Sequence, residues 1–224
     1  YKVAQATTRR TPDPAPFVYF GGASPAAEQV AAAHVDVYLT WGETPAQVEV
    51  RLDRMRTLAA EHGRTLRFGI RFHVIARPTA EAAWAEADRL LANVPEEAIA
   101  AAQADFATTQ SEGQRRMAEL AAGGAAGGGG TRDRDALVIH PNVWAGVGLV
   151  RGGAGTALVG SFEEVADRIA EYHGLGFDEF ILSGYPHLEE AYWFGEGVMP
   201  ILRSRGLLDA PDPAADTGPM MTFR

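Results

Sequence analysis

Apolar and polar positions along this chain keep two rhythms, one of strands and one of helices. From Arg67 to Arg77 the run RFGIRFHVIAR follows a period of two, sending Phe68, Ile70, Phe72 and Val74 to one face and Gly69, Arg71, His73 and Ile75 to the other. The apolar face reads as buried. The second face carries two potential cations, and burying them is costly unless something negative meets them.

Strand patterns also occur at Phe17 to Phe20, at VDVYLTW from Val35 to Trp41, and at Phe180 to Ser183. Helical spacing fills the intervals. It runs from about Pro25 to Ala33, and from Thr44, which forms a capping-box pattern with Gln47, to a stop at Gly63. It resumes in TAEAAWAEADRLLANV and continues to about Met117, then in SFEEVADRIAEYHGLG with the pair Ser161 and Glu164, and in a long helix after SGYP. Strand then helix, four times over with short connections, predicts a parallel sheet with crossover helices. A closed (β/α)8 TIM barrel has eight such units, so the chain supplies about half of one. The whole of 1–224 reads as a single domain. Residues 121–135, around the glycines Gly123 to Gly130, read as a flexible insert, 142–160 as a long and partly mobile connection, and 209–224 as a loose tail.

Composition adds bounds. The chain has 224 residues, 46% of them hydrophobic, enough for one sizeable core. A formal charge of −9 argues against general nucleic-acid affinity, so an anionic ligand must be drawn by a local site. No apolar run is long enough for a membrane span, and no leader pattern opens the chain, which predicts a cytoplasmic protein. Zero cysteines excludes disulfides, cysteine nucleophiles and thiolate metal sites. The remaining histidines show no metal-ligand spacing, so no metal is expected.

Chemistry in parallel α/β folds collects at the C-terminal ends of strands, which singles out four groups. GGAS (Gly21 to Ser24) opens a helix after a strand, so its N–H groups and the Ser24 hydroxyl suit a phosphate; a tight turn with an N-capping serine fits equally. Trp41 is a pocket wall or a core aromatic. Arg71 with His73 offers a rigid fork for an oxyanion beside a group that titrates near neutral pH, unless a structural carboxylate takes the arginine. Tyr185 in SGYP can donate to a ligand or simply pack. Arg151, among the glycines of VRGGAGT, suits a lid that delivers a cation on closing, against the alternative of a solvated loop arginine.

Five long motifs together resemble a known family: YFGGAS, VDVYLTWGETP, LRFGIRFHVIAR, NVWAGVGLVRGGAGTALVG and ILSGYPHLEEAYWFGE. In this order they resemble the C-terminal part of the flavin-dependent alkanesulfonate monooxygenases of the bacterial luciferase-like superfamily. The resemblance implies a (β/α)8 barrel and a two-component enzyme. A separate NAD(P)H-dependent reductase would supply reduced FMN, and with O2 an alkanesulfonate would become an aldehyde and sulfite. Arg71 would then face the sulfonate, with His73 handling protons beside it. Trp41 would line the substrate pocket, and Arg151 would close over it. Tyr185 would lie near the flavin, and Gly22 and Ser24 would hold the FMN phosphate. The family's N-terminal half, with a family cysteine, is not matched, so a further part of the barrel is expected outside this chain, and the glycine insert is a second departure. A homo-oligomer is expected. Competing readings are a luciferase-like flavin enzyme acting on methanesulfonate, a sulfone or an alkane-type substrate, and a non-catalytic flavin-binding fragment.

Overall fold

A computed structural model describes residues 4, 10, 12–123 and 133–209; most of the predicted glycine insert and of the C-terminal tail lies outside the described residues. Three strands and two helices open the fold in alternation: β1 (Tyr19–Gly21), α1 (Pro25–His34), β2 (Val37–Trp41), α2 (Pro45–Glu61) and β3 (Arg67–Arg77). Three helices follow, α3 (Ala80–Ala92), α4 (Glu96–Thr108) and α5 (Glu112–Gly123). Then come β4 (Val138–His140), β5 (Val143–Trp144), β6 (Ala157–Ser161), α6 (Phe162–Leu175) and β7 (Glu179–Ser183). The C-terminal helix is interrupted: α7 (His187–Trp193) passes through a π turn (Phe194–Val198) into α8 (Met199–Ser204).

The long strand β3 organises the sheet. Backbone groups of its odd residues point to one edge, where Arg67 and Arg71 meet the β2 side and His73 bonds the Thr156 carbonyl just before β6. β2 (Val37↔Arg67 to Trp41↔Arg71) and β6 (His73↔Ala157 to Arg77↔Ser161) therefore follow one another along that edge. β7 takes the other edge in parallel register, from Gly69↔Glu179 to His73↔Ser183. The run β1, β2, β3, β7 is all parallel, a curled half-barrel sheet. β5 and β4 extend it beyond β6 by antiparallel pairing.

Side-chain alternation on β3 follows the sequence. Phe68, Ile70, Phe72, Val74 and Ala76 pack outward against Val48, Leu52 and Met55 of α2, Val165, Ile169 and Tyr172 of α6, and Leu202 of α8. The Phe72 and Tyr172 rings lie 5.0 Å apart at 60°. Each such fully buried side chain contributes roughly 1.5–3 kcal/mol of hydrophobic stabilisation. A second cluster joins Ile75, Ala157 and Val159 to Ala83, Ala87 and Leu91 of α3.

One expectation needs correction. Residues 142–160 are not a loose connection: Ala157, Leu158 and Val159 are fully buried in β6, and a 3-10 turn spans Gly146–Leu149. Their short apolar run is stabilised by the free upper edge of β3, a partner about 80 residues away in sequence that local composition does not reveal. The Ser161 and Glu164 capping box forms as predicted, the serine N–H donating to Glu164 Oε2 at 2.7 Å and the Glu164 N–H to Ser161 Oγ at 3.2 Å. The predicted capping box of Thr44 with Gln47 also forms, and there the Thr44 N–H and hydroxyl both donate to Gln47 Oε1, at 3.1 and 2.8 Å.

Candidate functional site

The odd residues of β2, β3 and β7 share the inner face of the curled sheet. At its lower end Glu179 accepts from the Tyr19 hydroxyl at 3.2 Å and pairs with Arg67 at 2.8 Å, so that end is neutral. One turn of register higher, Arg71 has no carboxylate within reach among the described residues, and its Nε is buried without a hydrogen-bond partner. Such a donor costs about 1–3 kcal/mol while it stays unmet.

His73 sits two residues on, 2% exposed, and it is not the second cation that strand alternation suggests. Burial lowers its pKa to about 4, with the nearby Arg151, Arg71 and His187 pushing the same way and the Ala154 carbonyl opposing them. The ring is neutral at physiological pH. Nε2 lies 3.1 Å from the Ala154 carbonyl, which only accepts, so Nε2 carries the proton. Nδ1, 3.1 Å from Ser183 Oγ, then accepts from that hydroxyl. The imidazole also stacks on Tyr185, centroids 5.3 Å apart at 21°.

Arg151 completes this group from the loop before β6. Its Nε donates to the Tyr185 hydroxyl at 2.7 Å and a terminal nitrogen to the Gly152 carbonyl at 3.1 Å, with no carboxylate partner among the described residues. The loop is fastened down. The Gly153 N–H donates to Gln114 Oε1 at 2.9 Å, the Thr156 hydroxyl to the Gly42 carbonyl at 2.8 Å, and Gln103 Nε2 to the Leu149 carbonyl at 2.8 Å. Arg71, His73, Arg151 and Tyr185 are thus gathered in one place. The net charge of that group is positive.

Trp41, half-buried, lies in register with Arg71 and forms part of a cleft of about 140 Å³. Gly21, Gly22 and Ala23 also line this cleft, as do Ser111, just before α5, and Gly113 in its first turn. A Cβ at Gly113 would come within 2.9 Å of the indole, so glycine lets the helix close on the tryptophan. At the start of α1, Ser24 Oγ accepts from the Ala27 N–H at 3.2 Å. The N-cap reading of that serine is therefore realised, while its own hydroxyl proton remains available to a ligand. A Cβ at Gly22 would meet the Ala27 Cβ at 2.6 Å, so the backbone there is kept bare and close to the helix end.

Sequence reasoning missed a charged centre that itself lines this cleft through Glu43 and Arg51. Glu43, 2% exposed, accepts from Arg51 at 2.9 and 3.2 Å and from Arg116 Nε at 2.8 Å, with a second Arg116 contact to its other oxygen. Arg51 also donates to the Thr40 hydroxyl at 3.2 Å, and the Tyr172 hydroxyl to the Glu43 carbonyl at 2.7 Å. The carboxylate raises the Arg116 pKa by hydrogen bonding. The one local signal was an acidic residue directly after the strand-end pair Trp41 and Gly42. Ser183 and Gln114 were also missed, because each acts on a group far away in sequence. Among the described residues no group of three or more histidines, aspartates and glutamates is arranged to hold a metal. Nor is any helix there long and apolar enough to cross a membrane.

Residues 1–179 match the family model described as luciferase-like monooxygenase. Similar solved structures include a riboflavin lyase (RcaE) with modified FMN and riboflavin, 22% identical with a TM-score of 0.64 over 91% of this chain and 46% of that one. DmoA from Hyphomicrobium sulfonivorans is 21% identical with a TM-score of 0.63 over 88% of this chain and 43% of its own. The long-chain alkane monooxygenase LadA is 18% identical with a TM-score of 0.62, again over 88% and 43%. The chain spans less than half the length of each of these structures.

Proposed function

Since the chain belongs to the luciferase-like monooxygenase family, we propose that it forms the active-site half of a two-component flavin-dependent monooxygenase converting alkanesulfonates to aldehyde and sulfite. Further polypeptide would complete the (β/α)8 barrel, and the open inner face, where Ile181 is 38% exposed, is consistent with that. One observation carries the substrate reading. Arg71 and Arg151 converge on a neutral histidine and a phenol without a carboxylate partner among the described residues, which suits an oxyanion ligand.

The residues that would hold FMN fit the group chemically. Gly22 is bare at the mouth of a helix, and the Ser24 hydroxyl still has a proton to donate to a phosphate. Reduced FMN, delivered by a separate NAD(P)H-dependent reductase, would supply the electrons for oxygenation by O2. This chain's residues would do the rest. Arg71 would bind the sulfonate by its guanidinium fork, and Trp41 would shield the adjoining alkyl chain from water. His73, neutral and desolvated, would keep a proton on Nε2 and leave Nδ1 tied to Ser183. Tyr185 accepts from Arg151 and would donate its own hydroxyl proton to a ligand oxygen. Arg151 would hold the loop over the site and add a second positive charge as sulfite departs. The luciferase-like alternative with a methanesulfonate, sulfone or alkane-type substrate would keep this scaffold and change the wall around Trp41.

The test is sulfite release from octanesulfonate by the intact protein with FMN, NADH, O2 and a flavin reductase. Sulfite that depends on the reductase supports the proposal. Flavin binding without sulfite from any sulfonate would remove it in favour of the other flavin-dependent readings.

A further inference from the structure

His73 is held from three sides by different parts of the fold: by Ala154 of the Arg151 loop, by Ser183 at the end of β7, and by the face of Tyr185. Only Ser183 contributes a side-chain hydrogen bond. We propose that Ser183 is a positioning residue. Its hydroxyl, donated to Nδ1, keeps the His73 ring turned so that Nε2–H meets the Ala154 carbonyl, and thereby adds a side-chain tie between the loop carrying Arg151 and the sheet. The inference concerns the site of the proposed function but does not depend on which substrate that site takes.

The geometry gives the reason. The Ala154 carbonyl can only accept, so the bond from the His73 ring to the loop exists only while Nε2 holds the proton, whereas the backbone bond from His73 N–H to the Thr156 carbonyl does not depend on it. With a hydrogen on Nδ1 instead, or with the ring turned over, a bare nitrogen would face that carbonyl and the tie would be lost. Ser183 stands in direct register with His73 across β3 and β7, so its Cβ is placed by the parallel ladder, and among the described residues its hydroxyl has no other hydrogen-bond partner than His73. Flanking ties hold the loop on both sides of Ala154, at Gly153 to Gln114 and at Thr156 to Gly42. Within the loop, the middle fastening is the one that depends on a tautomer. A serine that only fills space or caps a strand would show no such dependence, because it would not hold the imidazole in the one orientation in which Nε2–H meets the Ala154 carbonyl.

The experiment is long-range 1H–15N spectroscopy of the intact protein labelled with 15N-histidine, the His73 signals being assigned by their loss in His73→Asn. At pH 7.5 the wild type should show a single Nε2–H tautomer for His73. In Ser183→Ala the pattern should move to a mixture, and the amides of residues 152–156 should exchange with deuterium about fivefold faster. Ser183→Thr, which keeps the hydroxyl, should restore both. A wild-type His73 that is already mixed or doubly protonated would overturn the proposal without any variant, and so would an unchanged pattern in Ser183→Ala. A protein that locks the tautomer yet releases no sulfite would remove the sulfonate reading and leave this one standing.

Discussion

Two arginine settings lie within one rim of this sheet and have opposite accounts. Beyond the end of β2, Arg51 and Arg116 converge on the buried carboxylate of Glu43, with Thr40 and Tyr172 supplying further hydrogen bonds. On β3, in register with Trp41 from that same β2, Arg71 meets no carboxylate among the described residues and keeps a buried Nε unsatisfied. The first arrangement satisfies itself and needs nothing from outside. The second is a cost to folding that only a ligand offsets, and for that reason it marks the site more clearly than any motif does.

The largest effect should come from breaking the satisfied setting. Glu43→Ala leaves two guanidiniums facing one another with nothing between, and should destabilise by about 3–5 kcal/mol, read from the urea unfolding midpoint. A loss under about 1 kcal/mol would mean that water replaces the carboxylate and that the two settings differ less than described. Next is pH. His73 has a folded pKa of about 4 against 6.5 unfolded, so between those values the unfolded chain binds the extra proton. The stability that goes with a neutral His73 is fully present above about pH 6.5 and falls as pH drops toward 4, by up to roughly 3 kcal/mol. His73→Gln should flatten that limb in a pH series of unfolding midpoints. A wild-type limb as flat as the variant's would place the ring in water.

Ser24→Ala removes the N-cap of α1 and should cost about 1 kcal/mol in thermal unfolding. If flavin binding also weakens, the hydroxyl serves a ligand as well as the helix. The smallest change is expected where the comparison is sharpest: Arg71→Ala should alter stability by no more than about 0.5 kcal/mol, or raise it, because no protein partner is lost. A loss of 2 kcal/mol or more would expose a structural role for Arg71.

Much of this was legible in the chain because it is local. Alternation in RFGIRFHVIAR gave the outward core of Phe68, Ile70, Phe72 and Val74 and the inward Arg71 and His73. Ser161 with Glu164 gave the start of α6. What escaped depends on distant partners. β6 becomes a strand because β3 has an unfilled upper edge, and Glu43 is buried because Arg116 arrives from a helix 73 residues on. His73 looks cationic in sequence and is neutral in the fold, since its burial and the pressure of Arg151 come from the loop above it.

The most direct test of the central claim compares sulfite release from octanesulfonate by the intact wild-type protein and by Arg71→Ala, both with saturating reduced FMN. If the unpaired guanidinium holds the sulfonate, the variant should lose about 100-fold or more in kcat/KM, equivalent to a charged hydrogen-bonded contact of nearly 3 kcal/mol, while its affinity for flavin stays within about threefold. Equal turnover by the two proteins would contradict the account, and the anion that Arg71 awaits would have to be something other than the substrate.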